Sequence, residues 1–232
     1  MAESDYKQFC PIAMAAEILC SRWTILLLRE LLSGSTRFND LKRGLPRMST
    51  ALLSLRLKEL EQAGILQRRP VPGEPGIAEY QLTRAGKELE PLVMAFGVWG
   101  QRWVDKKLSL ERLDVGLLMW DMRRNINPEP MPDRRCTIEF IYPGAPPDQR
   151  AWWLVIAPGK GVDLCHVDPG YDVDLYISAD LKAMTAIWMG HDTVRKAVEG
   201  GQVKLTGDKA LARDMQKWLG LSPFAKEKAQ IR

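Results

Sequence analysis

The stretch FNDLKRGLPRMSTALLSLRLKELEQAG, residues 38–64, decides the architecture of the N-terminal half. Phe38, Leu41 and Leu45 recur at i, i+3 and i+7, one face of a helix whose polar face carries Asn39, Lys42 and Arg43. Pro46-Arg47-Met48-Ser49 makes a four-residue turn, and Ser49 is placed to cap a second helix over residues 50–63, which Gly64 stops. On a wheel of about 100° per residue, Leu52, Leu53, Leu57, Leu60 and Ala63 fall on one side of that helix. Thr50, Ala51, Ser54, Leu55 and Lys58 fall on the other. The spacing predicts a helix-turn-helix with a polar outer face.

Upstream, Pro11 suits a first helical position, and residues 12–20 and 23–32 read as two short helices ended by Gly34. Downstream, residues 65–71 and 77–82 read as short strands around a turn-rich 72–76 segment, a two-stranded wing. Thr83 opens a helical stretch to about Trp103, which Pro91 should kink or split. Its apolar stripe is Leu89, Leu92, Val93, Phe96, Trp99 and Trp103.

The formal net charge of +4 over 232 residues is too modest to imply a nucleic-acid partner, but its distribution is informative. Between Arg37 and Arg69, eight basic residues (Arg37, Lys42, Arg43, Arg47, Arg56, Lys58, Arg68, Arg69) stand against Asp40, Glu59 and Glu61, a local net of +5. In such an arrangement the second helix enters a major groove and the wing reaches adjacent phosphates. Thr50 and Ser54 can hydrogen-bond several bases, and Ala51 and Leu55 could touch a thymine methyl. Arg47 at the turn, Ser49 at the helix start, Lys58, and Arg68 and Arg69 on the wing complete the expected contacts with double-stranded DNA. Arg56 projects toward the leucine side, where an ion pair competes with a phosphate contact. The plainer alternative is a helical domain with a solvated basic face; turn, cap, wing and charge together favour DNA.

Apolar residues at 46% and charged residues at 27% describe a soluble globular chain, long enough for two domains. No apolar run approaches the ~18 residues of a membrane span. The acidic start is not a secretory signal, and Cys10, Cys20, Cys136 and Cys165 form no C-x-x-C pair. The expectation is a cytoplasmic protein with no membrane association, disulfide scaffold, metal or cofactor.

Cys10-Pro11, Arg22-Trp23-Thr24, Arg37-Phe38-Asn39-Asp40-Leu41, Leu45-Pro46-Arg47-Met48-Ser49, Leu57-x-x-Leu60-Glu61 and Tyr80-x-Leu82-Thr83-x-x-Gly86 together resemble the HxlR family, a branch of the MarR-like winged-helix regulators, over about residues 10–104. The resemblance implies a homodimer on a near-palindromic operator, with dimer contacts from the outer helices. The Trp99 and Trp103 stripe fits a partner surface, although packing within one subunit is the competing reading. An alternative that the resemblance implies is a redox-responsive regulator using Cys10, with the C-terminal domain serving assembly; against it stands the reading of Cys10 as a small side chain packed near the dimer surface.

The C-terminal half differs in character. Residues 110–124 read as an amphipathic helix, and the three prolines in 127–133 suggest a boundary. Strands follow at 137–142, 151–157, 162–167 and 173–178, then helices at 179–189 and 192–199, a fifth strand at 202–206 and a helix at 208–219. Asp172-Val173-Asp174-Leu175-Tyr176-Ile177-Ser178, Trp188-Met189-Gly190 and Gly200-Gly201-Gln202-Val203-Lys204-Leu205-Thr206-Gly207-Asp208 resemble a sterol-carrier-protein type 2 domain. The fold expected is thus a mainly α winged helix-turn-helix (1–108), a connecting helix and Pro-rich linker (109–134), and an α+β sterol-carrier-like domain with about five strands (135–225). Phe140, Trp153, Leu181, Met184, Trp188, Met215 and Trp218 are candidates to line a pocket for a hydrophobic small-molecule or lipid effector; a filled core is the competing reading. A lipid carrier that retains a winged helix is a further alternative. Asp163-x-x-His166-x-Asp168 is the one cluster suggestive of catalysis, yet on a strand its side chains do not share a face, so no enzymatic role is expected.

Overall fold

Pro11 opens α1 (Pro11–Leu19), and Trp23, at φ +79°, turns the chain through 80° into α2 (Thr24–Leu32). A left-handed tryptophan costs on the order of 1–3 kcal/mol and needs support from its surroundings. Here the Arg22 guanidinium lies 5.9 Å from the Trp23 ring, and the Arg22 carbonyl accepts the Arg56 Nε–H at 3.2 Å. The structure, a computed structural model, describes residues 6–105 and 110–230 and divides into two units, Met1–Gly97 and Val98–Arg232. The boundary expected at 108/109 lies outside the described residues.

In the first unit, α3 (Phe38–Gly44) and α4 (Thr50–Gln62) follow α2. Leu27, Leu28, Leu41, Leu45, Leu53, Leu57 and Leu60 share one buried cluster. The fully buried Glu30 pairs with Arg29 at 2.7 Å, and Arg29 also donates to the Gly44 carbonyl at 3.1 Å. A Cβ on Gly44 would collide with the Glu30 carboxylate, so α2 and α3 close together only over a glycine. Strands β1 (Leu66–Pro70) and β2 (Ala78–Leu82) pair antiparallel, with Leu66 opposite Leu82 and Arg69 opposite Glu79. The helix expected from Thr83 is split. Thr83 caps α5 (Arg84–Lys87), and Pro91 sits in the first turn of α6 (Glu90–Trp103), where its missing N–H leaves no bond unmade.

The second unit begins within α6, at Val98, and its next described helix is α7 (Val115–Arg124). That helix begins later than the expected 110 because the Asp114 carboxylate caps it, accepting the Leu117 N–H at 2.9 Å. Val115, Leu118, Met119 and Met122 of this helix are buried in the second core. Strands β3 (Cys136–Ile141), β4 (Ala151–Ala157), β5 (Gly161–Cys165), β6 (Leu175–Ala179) and β7 (Val203–Gly207) form a mixed sheet in the order β5-β4-β3-β6-β7, with only β3 and β6 parallel. Register puts Ile138, Phe140, Leu154, Leu175 and Ile177 on one face, in the core with residues of α7, α8 (Leu181–Trp188) and α9 (Val194–Glu199). Thr137, Glu139, Trp153 and Tyr176 take the other face.

The single last helix expected over 208–219 is two, α10 (Lys209–Arg213) and α11 (Met215–Trp218), because Asp214 leaves helical geometry at φ −93°, ψ 10°. The Leu211 carbonyl, which a continuous helix would satisfy from residue 215, accepts the Trp218 indole N–H at 2.8 Å instead. Hydrogen bonds from Arg213 and then Lys217 hold the Asp214 carboxyl down at about 2. The aspartates and glycine of the second resemblance close the sheet. Asp174 accepts from Arg134 at 2.7 Å and from the Thr137 amide at 2.8 Å, Gly207 (φ +129°) passes the Asp174 carbonyl where a Cβ would collide, and Asp208 caps α10.

Candidate nucleic-acid interface

Ser49 terminates the turn after α3 with its hydroxyl accepting the Leu52 N–H at 3.2 Å, so α4 starts where the sequence placed it. Leu53, Leu57 and Leu60 are buried, whereas Thr50, Ala51, Ser54, Leu55 and Lys58 are exposed along the outer face. The buried arc is narrower than the wheel implied: Leu52 is half-buried, and Ala63, as the C-cap, is exposed.

The eight basic residues of the 37–69 segment separate into two groups. Arg37 forms a two-pronged pair with Glu74 of the wing loop, at 2.9 and 2.5 Å, which holds the Glu74 carboxyl below its ordinary range. Lys42 donates to the Pro46 carbonyl at 2.7 Å and so braces the turn. Arg43 meets Asp40 at 3.4 Å, and Arg56 pairs with Glu59 while holding the Arg22 carbonyl. The side chains of Arg47, Lys58, Arg68 and Arg69 are exposed and make no hydrogen bond or ion pair among the described residues. Unengaged guanidinium and ammonium groups are the ones that can meet phosphates without first breaking an internal pair. The Arg37–Glu74 wing anchor was missed from sequence, since no spacing rule links residues so far apart.

Alternation along β1 separates the two wing arginines. Arg68 shares the face of the buried Leu66, and Arg69 shares the face of Gln67. The Arg68 amide donates to Glu61 Oε1 at 3.3 Å, which ties the strand to the C-terminal part of α4.

Away from this surface, Phe9 is 99% and Ile12 78% exposed at the start of α1, beside a half-buried Cys10 that caps the helix without a side-chain hydrogen bond. On α6, Phe96 and Trp99 are each 62% exposed, Leu92 and Trp103 are also exposed, and Val93 alone is buried.

In the second unit, Phe140, Met184, Met215 and Trp218 have no exposed surface, and Trp188 and the half-buried Leu181 pack in the same cluster. Trp153 is not brought together with them, because it lies opposite Glu139 on the other sheet face. None of these seven residues lines the cavity of about 360 Å³ bounded by Pro128, Met131, Arg134, Cys136, Ile156 and Pro158. Asp163 lies on the face of Val155, whereas the His166 ring sits 6.2 Å from Trp152 on the core side, so this pair does not converge. Among the described residues no group of three or more His, Cys, Asp or Glu side chains is placed to hold a metal, and no single helix is long and apolar enough to cross a membrane.

A sequence model of the HxlR-like helix-turn-helix family matches residues 18–108. The HTH-type transcriptional regulator YvaP of Bacillus subtilis is 40% identical over 102 residues, 44% of this chain and 94% of its own. The HTH-type transcriptional regulator sll1512 of Synechocystis is 40% identical over 98 residues, covering 42% and 73% of the two chains. Among solved structures, the reduced form of the transcriptional regulator YodB from B. subtilis aligns with 33% identity over 40% of this chain and 93% of that one, at a TM-score of 0.36. With the capped helix, short turn and paired strands in place over the matched residues, the chain belongs to the HxlR-like helix-turn-helix family and is a transcriptional regulator of the HxlR/MarR-like kind.

Proposed function

We propose that the protein acts in the cytoplasm as a homodimer on a two-fold operator, with α4 in the major groove and a hydrophobic effector tuning its affinity. One observation carries the DNA reading. Of eight basic residues between Arg37 and Arg69, Arg47 in the turn before α4, Lys58 on its exposed face, and Arg68 and Arg69 on the wing strand are those whose side chains have no partner among the described residues. Thr50 and Ser54 on that face are the base readers, and Ser49 orders the helix start beside the phosphates. Support for the dimer comes from the exposed rings of α6 and the apolar start of α1, which in isolation would leave large apolar area in water.

The effector reading rests on the Met- and Trp-rich core of the second unit. A sheet of five strands with its apolar face packed against helices supports a sterol-carrier-like domain there. Phe140, Met184, Met215 and Trp218 fill the interior, so an effector would enter by rearranging them, for which unbranched methionines are suited. The domain limits 1–108, 109–134 and 135–225 belong to this same proposal.

The test is an anisotropy titration of full-length protein with DNA from upstream of its own gene, with and without palmitate. Thr50→Ala or Ser54→Ala should change base preference, and palmitate should shift the titration together with tryptophan fluorescence. Met184→Ala should alter palmitate affinity more than DNA affinity. Unchanged DNA binding after joint loss of Lys58, Arg68 and Arg69 would refute the interface. Palmitate without effect on fluorescence or titration would refute the effector reading alone.

A further inference from the structure

We propose that the first unit contains a second ligand site, on the flank of α4 away from the wing, that takes a small primary amine with an apolar body. A cavity of about 490 Å³ is lined by Glu17 and Ile18 of α1, Ser21 and Thr24 at the corner into α2, and Arg56, Glu59, Leu60, Gln62 and Ala63 of α4 or its cap. Cavities that hold small molecules commonly measure about 300–1,000 Å³.

The second observation is independent of the volume. Thr24 is 1% exposed, and its Oγ1 is the one buried side-chain oxygen or nitrogen without a hydrogen-bond partner among the described residues. An enclosed hydroxyl with neither donor nor acceptor satisfied is costly, and a ligand that bonds to it removes that cost.

The charges around it select the ligand. Glu17 and Glu59 supply two carboxylates, and Arg56 supplies one guanidinium already committed to Glu59 and to the Arg22 carbonyl. One oxygen of Glu17 accepts the Tyr6 amide at 2.9 Å, which leaves the other open. Ser21 and Gln62 add neutral polar groups, so the lining carries a negative balance that a cationic ligand would offset. An ammonium offers three donors, enough for Thr24 Oγ1 and both carboxylates, while Ile18, Leu60 and Ala63 flank an apolar body.

Position gives the site a consequence. On the α4 wheel, at about 100° per residue, Arg56, Leu60 and Ala63 lie on the opposite flank from Glu61, which meets the wing. The ligand thus leaves Thr50 and Ser54 free. By drawing on Glu59 it competes with Arg56, whose other bond secures the left-handed Trp23 corner. Occupancy shifts α4 relative to α1 and changes operator affinity by a factor typical of allosteric coupling, about 5- to 150-fold.

The experiment uses isothermal titration of the full chain with 2-phenylethylamine, 2-phenylethanol and 3-phenylpropionate, which share a body and differ in charge. The amine should bind best and the carboxylate worst, and the amine alone should shift the operator titration. Thr24→Val and Glu59→Gln should each weaken the amine about tenfold, the effect of one lost hydrogen bond to a charged group. Without ligand, Thr24→Val should melt at or above the wild-type temperature, since a methyl replaces an orphaned hydroxyl. No heat with the amine, equal affinity for the carboxylate, or undiminished amine binding by Thr24→Val overturns the proposal. Direct binding is read without DNA, so a failure here is distinct from a failure of the operator reading.

Discussion

Arg68 and Arg69 are neighbours in sequence but leave β1 from opposite faces, and this separates their expected effects on DNA binding. Replacing each singly by glutamine removes one charge and keeps the side chain polar. Counterion release gives a salt slope of about 0.9 per phosphate contact, so a contact made once in each subunit of a dimer contributes about 1.8. Only one face of a two-stranded wing can lie along a given backbone. One variant should therefore lower the slope of log affinity against log salt by about 1.8, and the other should leave it nearly unchanged. Over a fourfold salt range, a slope change of that size alters the affinity loss by about tenfold. Lys58→Gln should behave like the contacting arginine. The assay is operator anisotropy at four or more potassium chloride concentrations. Equal decrements for both arginines would refute the alternation argument, and no decrement for either together with none for Lys58→Gln would remove the wing and α4 from the phosphates.

Other expectations concern stability. Ser49→Ala removes the oxygen that accepts the Leu52 N–H and should cost about 1 kcal/mol in urea unfolding; no loss would show that water replaces the cap. Gly44→Ala forces a Cβ into the Glu30 carboxylate and should destabilise by about 1–3 kcal/mol, so a neutral result would mean that α2 and α3 part easily. Burial, and then the nearby Asp168, pushes the Glu139 carboxyl up, so its charged form is disfavoured in the folded state. Its stability contribution is full at low pH and is lost as pH rises through the raised folded value. Glu139→Gln should accordingly raise the melting temperature at pH 7 and leave it unchanged near pH 4, and the reverse order would contradict the sign.

The helix-turn-helix was legible because its signals are local. A cap, a short turn and leucines at helical spacing act within a few residues, and Ser49 and Leu53, Leu57 and Leu60 stand where those signals place them. The separation of Arg68 from Arg69 was equally open to a period-two reading, since β1 was expected from sequence. The break at Asp214 was not, because it depends on the Trp218 indole reaching back to the Leu211 carbonyl, a choice made by packing against the sheet. Met184, Met215 and Trp218 show the limit for sites: residue type states what a side chain can line, and only the volume left by its neighbours states whether it lines a space or fills one. Glu30 and Thr24 extend this to polar groups. On a helix of leucines each reads as a solvent-facing position, yet both are buried. Glu30 is matched by Arg29 and by the missing Cβ of Gly44, a device the sequence could show only to a reader who already knew the two helices touch. Thr24, which faces α1 and α4 rather than α3, is buried with no match, and a buried hydroxyl that an isosteric valine could replace without loss of packing is where a core argument stops and a ligand argument begins.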